Sequence, residues 1–98
     1  MQKENTPESK RLHIIITGRV QGVGYRFFTK DNADLYNIIG WVRNCANGSV
    51  EVEAQAQEEI LQKFCEELRK GPFMGSVSDL QTQEIEPASG EDSFRIRF

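Results

Sequence analysis

A glycine-rich loop that ends in an arginine holds the residues of this sequence that are best suited to chemistry. It runs from Gly18 to Arg26 and reads GRVQGVGYR. Glycines let backbone N–H groups converge on a ligand, and the amides at the start of a following helix add positive potential. An arginine adds a planar fork of donors that matches phosphate oxygens. The loop is therefore predicted to bind an anion the size of one phosphoryl group.

The loop does not match the common nucleotide-binding motifs. A Walker A loop ends in Gly-Lys-Ser/Thr, whereas Gly24 is followed here by Tyr25 and Arg26. A G-x-G-x-x-G motif fails as well, because Phe27 stands where the third glycine is required. The glycines also fit a simple tight turn between a strand and a helix, and the loop alone leaves that alternative open.

The hydrophobic pattern around the loop predicts an alternation of strands and helices. Val50, Val52 and Ala54 alternate with Glu51 and Glu53, which is typical of a strand with one buried face and one wet face. In chain order we expect a strand over 12–17, a helix over 25–36, strands over 38–44 and 50–54, a helix over 58–70, a strand over 77–85 and a short last strand over 94–98. This order predicts an α+β, ferredoxin-like βαββαβ sandwich, with an antiparallel sheet and two helices on one face.

Periodicity also predicts which side chains the later elements bury. The second helix carries an apolar stripe formed by Leu61, Phe64, Cys65 and Leu68. In the last strand, Arg95 and Arg97 are expected to point outward, and the inward side chains are expected to be Phe94, Ile96 and Phe98.

Length and charge limit the class of protein. The 98 residues suffice for one hydrophobic core, so we expect a single domain over residues 11–98, after a polar, flexible tail over residues 1–10. The formal net charge of −3 disfavours a nucleic-acid or anionic-membrane surface, because such surfaces depend on clustered Lys and Arg. The sequence shows neither a secretory signal nor a long apolar run, so a cytoplasmic location is expected.

The cysteines and the single histidine do not suggest a metal or redox site. Cys45 and Cys65 are too few for a four-ligand zinc site and form no paired motif, so both are expected to be reduced. His13 lies inside the first predicted strand and is interpreted as structural. We therefore expect no metal and no cofactor.

Two segments together resemble the signatures of the acylphosphatase family. The loop from Gly18 to Arg26 is similar to the first signature, with its Val-Gln-Gly-Val core and its final aromatic-Arg pair. The segment from Gly40 to Asn44, with Gly48-Ser49-Val50 after it, is similar to the second. The resemblance covers roughly residues 11–98. It implies the same βαββαβ fold that the hydrophobic pattern predicts.

The resemblance implies hydrolysis of the carboxyl–phosphate anhydride of acyl phosphates, without a metal ion or a covalent intermediate. It implies that Arg26 holds the phosphoryl oxygens and that Asn44 orients the attacking water. The backbone amides that would complete the phosphate cradle belong to Gln21, Gly22, Val23, Gly24 and Tyr25. We expect a monomer that acts on a small-molecule acyl phosphate, with inorganic phosphate as product or inhibitor.

Other interpretations of the same fold require different features. An RNA-binding domain would have a basic sheet face and an RNP-type aromatic string, and neither is present. A small-anion-binding regulatory module shares the cradle and the arginine, so it remains an alternative. Asn44 at the end of a strand also fits the capping of a turn. Catalytic turnover separates the enzyme from the binding module.

Overall fold

The computed structural model describes residues 9–98, which form a five-stranded sheet and two helices. In chain order the elements are β1 (Lys10–Arg19), α1 (Tyr25–Leu35), β2 (Ile39–Asn44), β3 (Val50–Ala56), α2 (Glu58–Lys70), β4 (Ser76–Ile85) and β5 (Phe94–Arg97). The predicted order of elements is confirmed. Most of the predicted tail, residues 1–8, lies outside the described residues, and Lys10 is already the first residue of β1. Neither described helix is long and apolar enough to cross a membrane.

The sheet has the strand order β4-β1-β3-β2-β5. β1 pairs antiparallel with β3 and β4, and β2 pairs antiparallel with β3. The prediction of a wholly antiparallel sheet is wrong at one edge, because β5 pairs parallel with β2. β4 runs opposite to β1, and the chain reverses again before β5, so β5 takes the direction of β1 and β2. The ferredoxin-like α+β fold itself is confirmed.

The two helices cover one face of the sheet. α1 contacts β2 and β5, α2 contacts β3 and β4, and the helices touch each other. Ile14, Ile16 and Val52 face them from the sheet and are fully buried. The predicted stripe of α2 is confirmed, since its buried residues are Leu61, Phe64, Cys65 and Leu68. Each large apolar side chain buried in this way contributes about 1.5–3 kcal/mol to stability.

The other face of the sheet carries paired charges rather than a fully wet surface. Arg11 is buried and donates a hydrogen bond to Glu53 over 2.8 Å. His13 Nε2 lies 2.6 Å from Glu51 Oε2, and Arg43 Nε donates to Glu51 Oε1 over 2.6 Å. The hydrogen bond with His13, helped by Arg43, holds the pKa of Glu51 below its ordinary value. His13 thus has a structural contact in this network.

The end of β5 departs from the predicted alternation. Phe94 is buried and Ile96 is half-buried, as predicted, but Phe98 is 92% exposed. The strand ends at Arg97, so no strand pairing determines which way the Phe98 side chain points. Its ring lies instead against the guanidinium of Arg26, with 4.6 Å between the guanidinium carbon and the ring centre.

Neither cysteine forms a disulfide within the described part of the chain. Cys65 is buried on α2, where burial raises the pKa of its thiol. Cys45 is half-buried and directly follows β2. The two cysteines therefore lie in different parts of the fold.

Gly40 in β2 is a position where a side chain does not fit. Its φ is +142°, and a Cβ added there would lie 1.9 Å from the carbonyl oxygen of Glu53 in β3. We expect Gly40→Ala to lower the free energy of unfolding by about 3 kcal/mol or more, measured by urea denaturation. Gly90→Ala is the matched control, because φ is +90° there but no atom lies within 4 Å. Equal losses in the two variants would contradict the steric explanation.

Candidate active site

The C-terminal ends of β1 and β2 lie at the same end of the sheet, and the start of β3 lies between them. Ile16 of β1 pairs with Val50, the first residue of β3. Val50 pairs on its other side with Asn44, the last residue of β2. β5 runs parallel to β2, so its C-terminal end lies at this end of the sheet as well. The topology therefore places the loop after β1 close to Asn44.

The loop between β1 and α1 leaves the amides at the start of the helix free for a ligand. Gly22 and Gly24 have φ values of 75° and 78°, in the left-handed region that glycine tolerates best. Gly24 is the N-cap of α1, no side chain among residues 9–98 caps the first turn, and that turn contains no acidic residue. The N–H groups of a helix start attract an anion when nothing else satisfies them.

These backbone groups form one wall of a cavity of about 130 Å³. The predicted site residues that line it are Gly22, Gly24, Tyr25, Arg26 and Asn44. Val20 and Phe27 also line the cavity and were not predicted. A water molecule takes up about 30 Å³ in the liquid, so the cavity has room for one phosphoryl group and a water molecule. The structure thus brings the predicted arginine and the predicted asparagine to one small site.

Arg26 lies on the first turn of α1 and is held from the end of β5. Its Nη1 donates a hydrogen bond to the carbonyl oxygen of Arg97 over 3.1 Å. The ring of Phe98 lies against one face of the guanidinium. The guanidinium of arginine has several N–H donors, and among residues 9–98 a protein acceptor engages only the donor at Nη1. The guanidinium is therefore positioned while most of its donors remain available to an anion.

The side chain of Asn44 contains a buried oxygen that the protein does not use. Its Oδ1 is buried and has no hydrogen-bond partner among residues 9–98. An unsatisfied buried polar atom costs about 1–3 kcal/mol, which makes it a candidate for a functional role. The capping alternative is not supported, because Asn47 caps the turn. Asn47 Oδ1 accepts hydrogen bonds from the backbone N–H and the hydroxyl of Ser49, over 3.0 and 2.7 Å.

Gln21 connects the loop to the turn after Asn44. Its Nε2 donates to the carbonyl oxygens of Cys45 and Ser49, both over 2.8 Å. Gln21 does not line the cavity, and neither does the half-buried Val23. The side-chain role of Gln21 could not be predicted, because its acceptors belong to a distant part of the sequence.

Tyr25 anchors the start of α1 in the core. Its side chain is buried, and its hydroxyl donates to the carbonyl oxygen of Leu68 over 2.6 Å. Burial raises the pKa of this hydroxyl well above its ordinary value. The Tyr25 side chain is therefore committed to the core, and the backbone of this residue is the part that can face a ligand in the cavity.

The fold and this site define a small α+β sandwich with one compact cavity between a glycine-rich loop, a helix start and the end of β2. The sequence model of the acylphosphatase family matches residues 12–96. An acylphosphatase of Clostridium acetobutylicum is 44% identical over 89 residues, which cover 91% of this chain and 98% of the relative. An acylphosphatase of Bacillus licheniformis is 40% identical over 88 residues, or 90% and 98% of the two chains.

A solved structure agrees with these relatives. The crystal structure of acylphosphatase from Bacillus subtilis has a TM-score of 0.87 and 37% identity, and the match covers 91% of this chain and 99% of that one. The chain belongs to the acylphosphatase family, which confirms the resemblance of the two signatures. It is accordingly a hydrolase that acts on acid anhydrides, and the binding-module alternative is not favoured.

Proposed function

We propose that this chain hydrolyses the carboxyl–phosphate anhydride of acyl phosphates without a metal ion, and releases a carboxylate and inorganic phosphate. The observation that carries the proposal is the convergence of Arg26, the free amides of α1 and Asn44 on one cavity of about 130 Å³. Membership of the acylphosphatase family supports the same reaction.

The phosphoryl group binds against the start of α1. The guanidinium of Arg26 and the backbone N–H groups of Gly22, Gly24 and Tyr25, the predicted cradle residues that line the cavity, donate hydrogen bonds to its oxygens. Phosphoryl transfer spreads negative charge over the equatorial oxygens in the transition state. Donors that are already in position stabilise that charge more than they stabilise the substrate, so they accelerate the reaction.

Asn44 positions the attacking water. Its Oδ1, which is buried and unpaired among residues 9–98, accepts a hydrogen bond from the water, whose oxygen attacks phosphorus. The bond between phosphorus and the carboxylate oxygen breaks, and the carboxylate leaves with the electron pair. The proton of the water passes to an oxygen of the substrate's own phosphoryl group. The amide therefore orients the water without acting as a base.

The leaving group needs no general acid. A carboxylic acid of this kind has a pKa of about 4–5, close to that of an Asp or Glu side chain, so it departs as an anion at neutral pH. The only histidine, His13, pairs with Glu51 and does not line the cavity. Positioning and charge stabilisation are therefore the contributions that this site makes.

The proposal includes a cellular and molecular setting. The chain acts as a monomer in the cytoplasm on a small-molecule acyl phosphate, with neither nucleic acid nor membrane as a partner. Support comes from the net charge of −3, which disfavours nucleic-acid and anionic-membrane surfaces. Inorganic phosphate has the same oxygens as the transferred group, so it should compete with the substrate.

Hydrolysis of benzoyl phosphate in EDTA tests the reaction directly. We expect the protein to release phosphate at the same rate with and without EDTA, because Arg26 and the helix amides supply the positive charge at the site. The control adds excess Mg²⁺ to the EDTA sample. Loss of activity in EDTA that Mg²⁺ restores would refute metal independence. Folded protein without turnover in either sample would favour an anion-binding module.

A further inference from the structure

We infer that Phe27 determines substrate specificity by contacting the acyl group, and that acyl phosphates with a large apolar or aromatic acyl group are preferred. The inference rests on the proposed hydrolysis of acyl phosphates. Phe27 lines the same cavity as Arg26 and Asn44. Its side chain is nevertheless 58% exposed, so much of its apolar surface is free to contact a ligand.

The size of the cavity places the acyl group at its rim. Pockets that enclose a whole small molecule measure about 300–1,000 Å³. The cavity here is about 130 Å³, so the acyl group must extend beyond it. Val20 and Tyr25 are buried beneath the cavity, and Arg26 and Asn44 present polar groups to it. Among the lining residues, Phe27 is the exposed apolar side chain that an emerging acyl group can meet.

Helix geometry directs the Phe27 side chain toward this rim. Phe27 lies in the first turn of α1, so its backbone belongs to the same helix start as the cradle amides. Side chains on a helix lean toward its N-terminus, which is the end at which the phosphoryl group binds. The acyl group is joined to phosphorus through one bridging oxygen, so it lies within reach of a side chain at this turn.

Other exposed apolar side chains lie at the end of the sheet that carries the cavity. The large apolar side chains that are mostly exposed within residues 9–98 are Phe27, Leu35, Phe73, Met74 and Phe98. Phe98 follows β5, and Phe73 and Met74 precede β4, which begins beside the end of β1. Leu35 differs, because it lies at the far end of α1. Exposed apolar groups that lie together mark binding surfaces, and two of these side chains lie at the site, because Phe27 lines the cavity and Phe98 contacts Arg26.

The test compares two substrates that share a phosphoryl group and differ in their acyl group. We expect Phe27→Ala to lower the ratio of kcat/KM for benzoyl phosphate to kcat/KM for acetyl phosphate by about fivefold or more. The benzoyl ring loses an apolar contact, whereas the acetyl group has little surface to lose. Leu35→Ala is the matched control on the same helix and should keep the wild-type ratio, since Leu35 does not line the cavity.

A Phe27→Ala variant that keeps the wild-type ratio of kcat/KM for the two substrates would overturn the inference, even if both values change. Inhibition by inorganic phosphate gives a second readout. An inhibition constant that rises as much as kcat/KM for benzoyl phosphate falls would assign Phe27 to phosphate binding and also refute its role toward the acyl group. Failure of the proposed function looks different, because the wild-type protein would then hydrolyse neither compound.

Discussion

Replacing Arg26 with alanine is expected to lower kcat/KM for benzoyl phosphate by about 1,000-fold or more. Arg26 lies on the first turn of α1 and lines the cavity, so in the proposed mechanism its guanidinium faces the oxygens on which charge develops. The same group binds the ground state, so inhibition by inorganic phosphate should also weaken, by about tenfold or more. Steady-state kinetics with phosphate as competitor measures both effects.

Control variants and unfolding measurements distinguish a catalytic role of the Arg26 side chain from an effect of its charge alone and from a loss of stability. Arg26→Lys keeps the charge but loses the planar fork, so it should remain strongly impaired. Lys30→Ala removes a cation further along α1, where Lys30 Nζ pairs with Asp34 over 2.7 Å, and it should keep wild-type activity. The hydrogen bond from Arg26 to Arg97 is exposed, so Arg26→Ala should unfold within a few degrees of wild type. A folded Arg26→Ala variant with about a tenth of the wild-type activity or more would refute the assignment.

Local patterns predicted the elements of the fold well. The stripe of α2 from Leu61 to Leu68 repeats at helical spacing, and the helix has the predicted bounds, 58–70. The direction of β5 and the exposure of Phe98 could not be obtained in this way. The direction of β5 depends on how often the chain reverses before the strand, and the position of Phe98 depends on where the strand ends.

Some residues of the candidate site were predicted, and the prediction came from the two signature segments of the sequence. They identified Arg26 and Asn44, which do line one cavity. The unpaired Oδ1 of Asn44 could not be foreseen, because burial depends on how β2 packs beside the loop. In the sequence Phe27 stands out only as a mismatch to a glycine motif. Its position directly after Arg26, at the start of a helix, is the signal from which its place at the cavity could have been predicted.

Replacing Asn44 with alanine is expected to lower kcat for benzoyl phosphate by about 100-fold or more, while the inhibition constant of inorganic phosphate stays within about twofold. In the proposed mechanism the amide acts on the attacking water, so its loss should affect the transition state and leave the bound phosphoryl group in place. Its Oδ1 has no hydrogen-bond partner among residues 9–98 to lose. The free energy of unfolding should therefore fall by no more than about 1 kcal/mol.

Asn47→Ala is the matched control, because this variant is expected to lose stability and keep its turnover. Its side chain caps the turn through Ser49 and does not line the cavity, so Asn47→Ala should lower the free energy of unfolding by about 1–2 kcal/mol and keep most of the turnover. An Asn44→Ala variant that loses phosphate affinity in proportion to turnover would make Asn44 a phosphate ligand. A variant that loses stability as Asn47→Ala does would make it structural. Loss of turnover alone requires that Asn44 acts on the water, since the cradle and the fold would both remain intact.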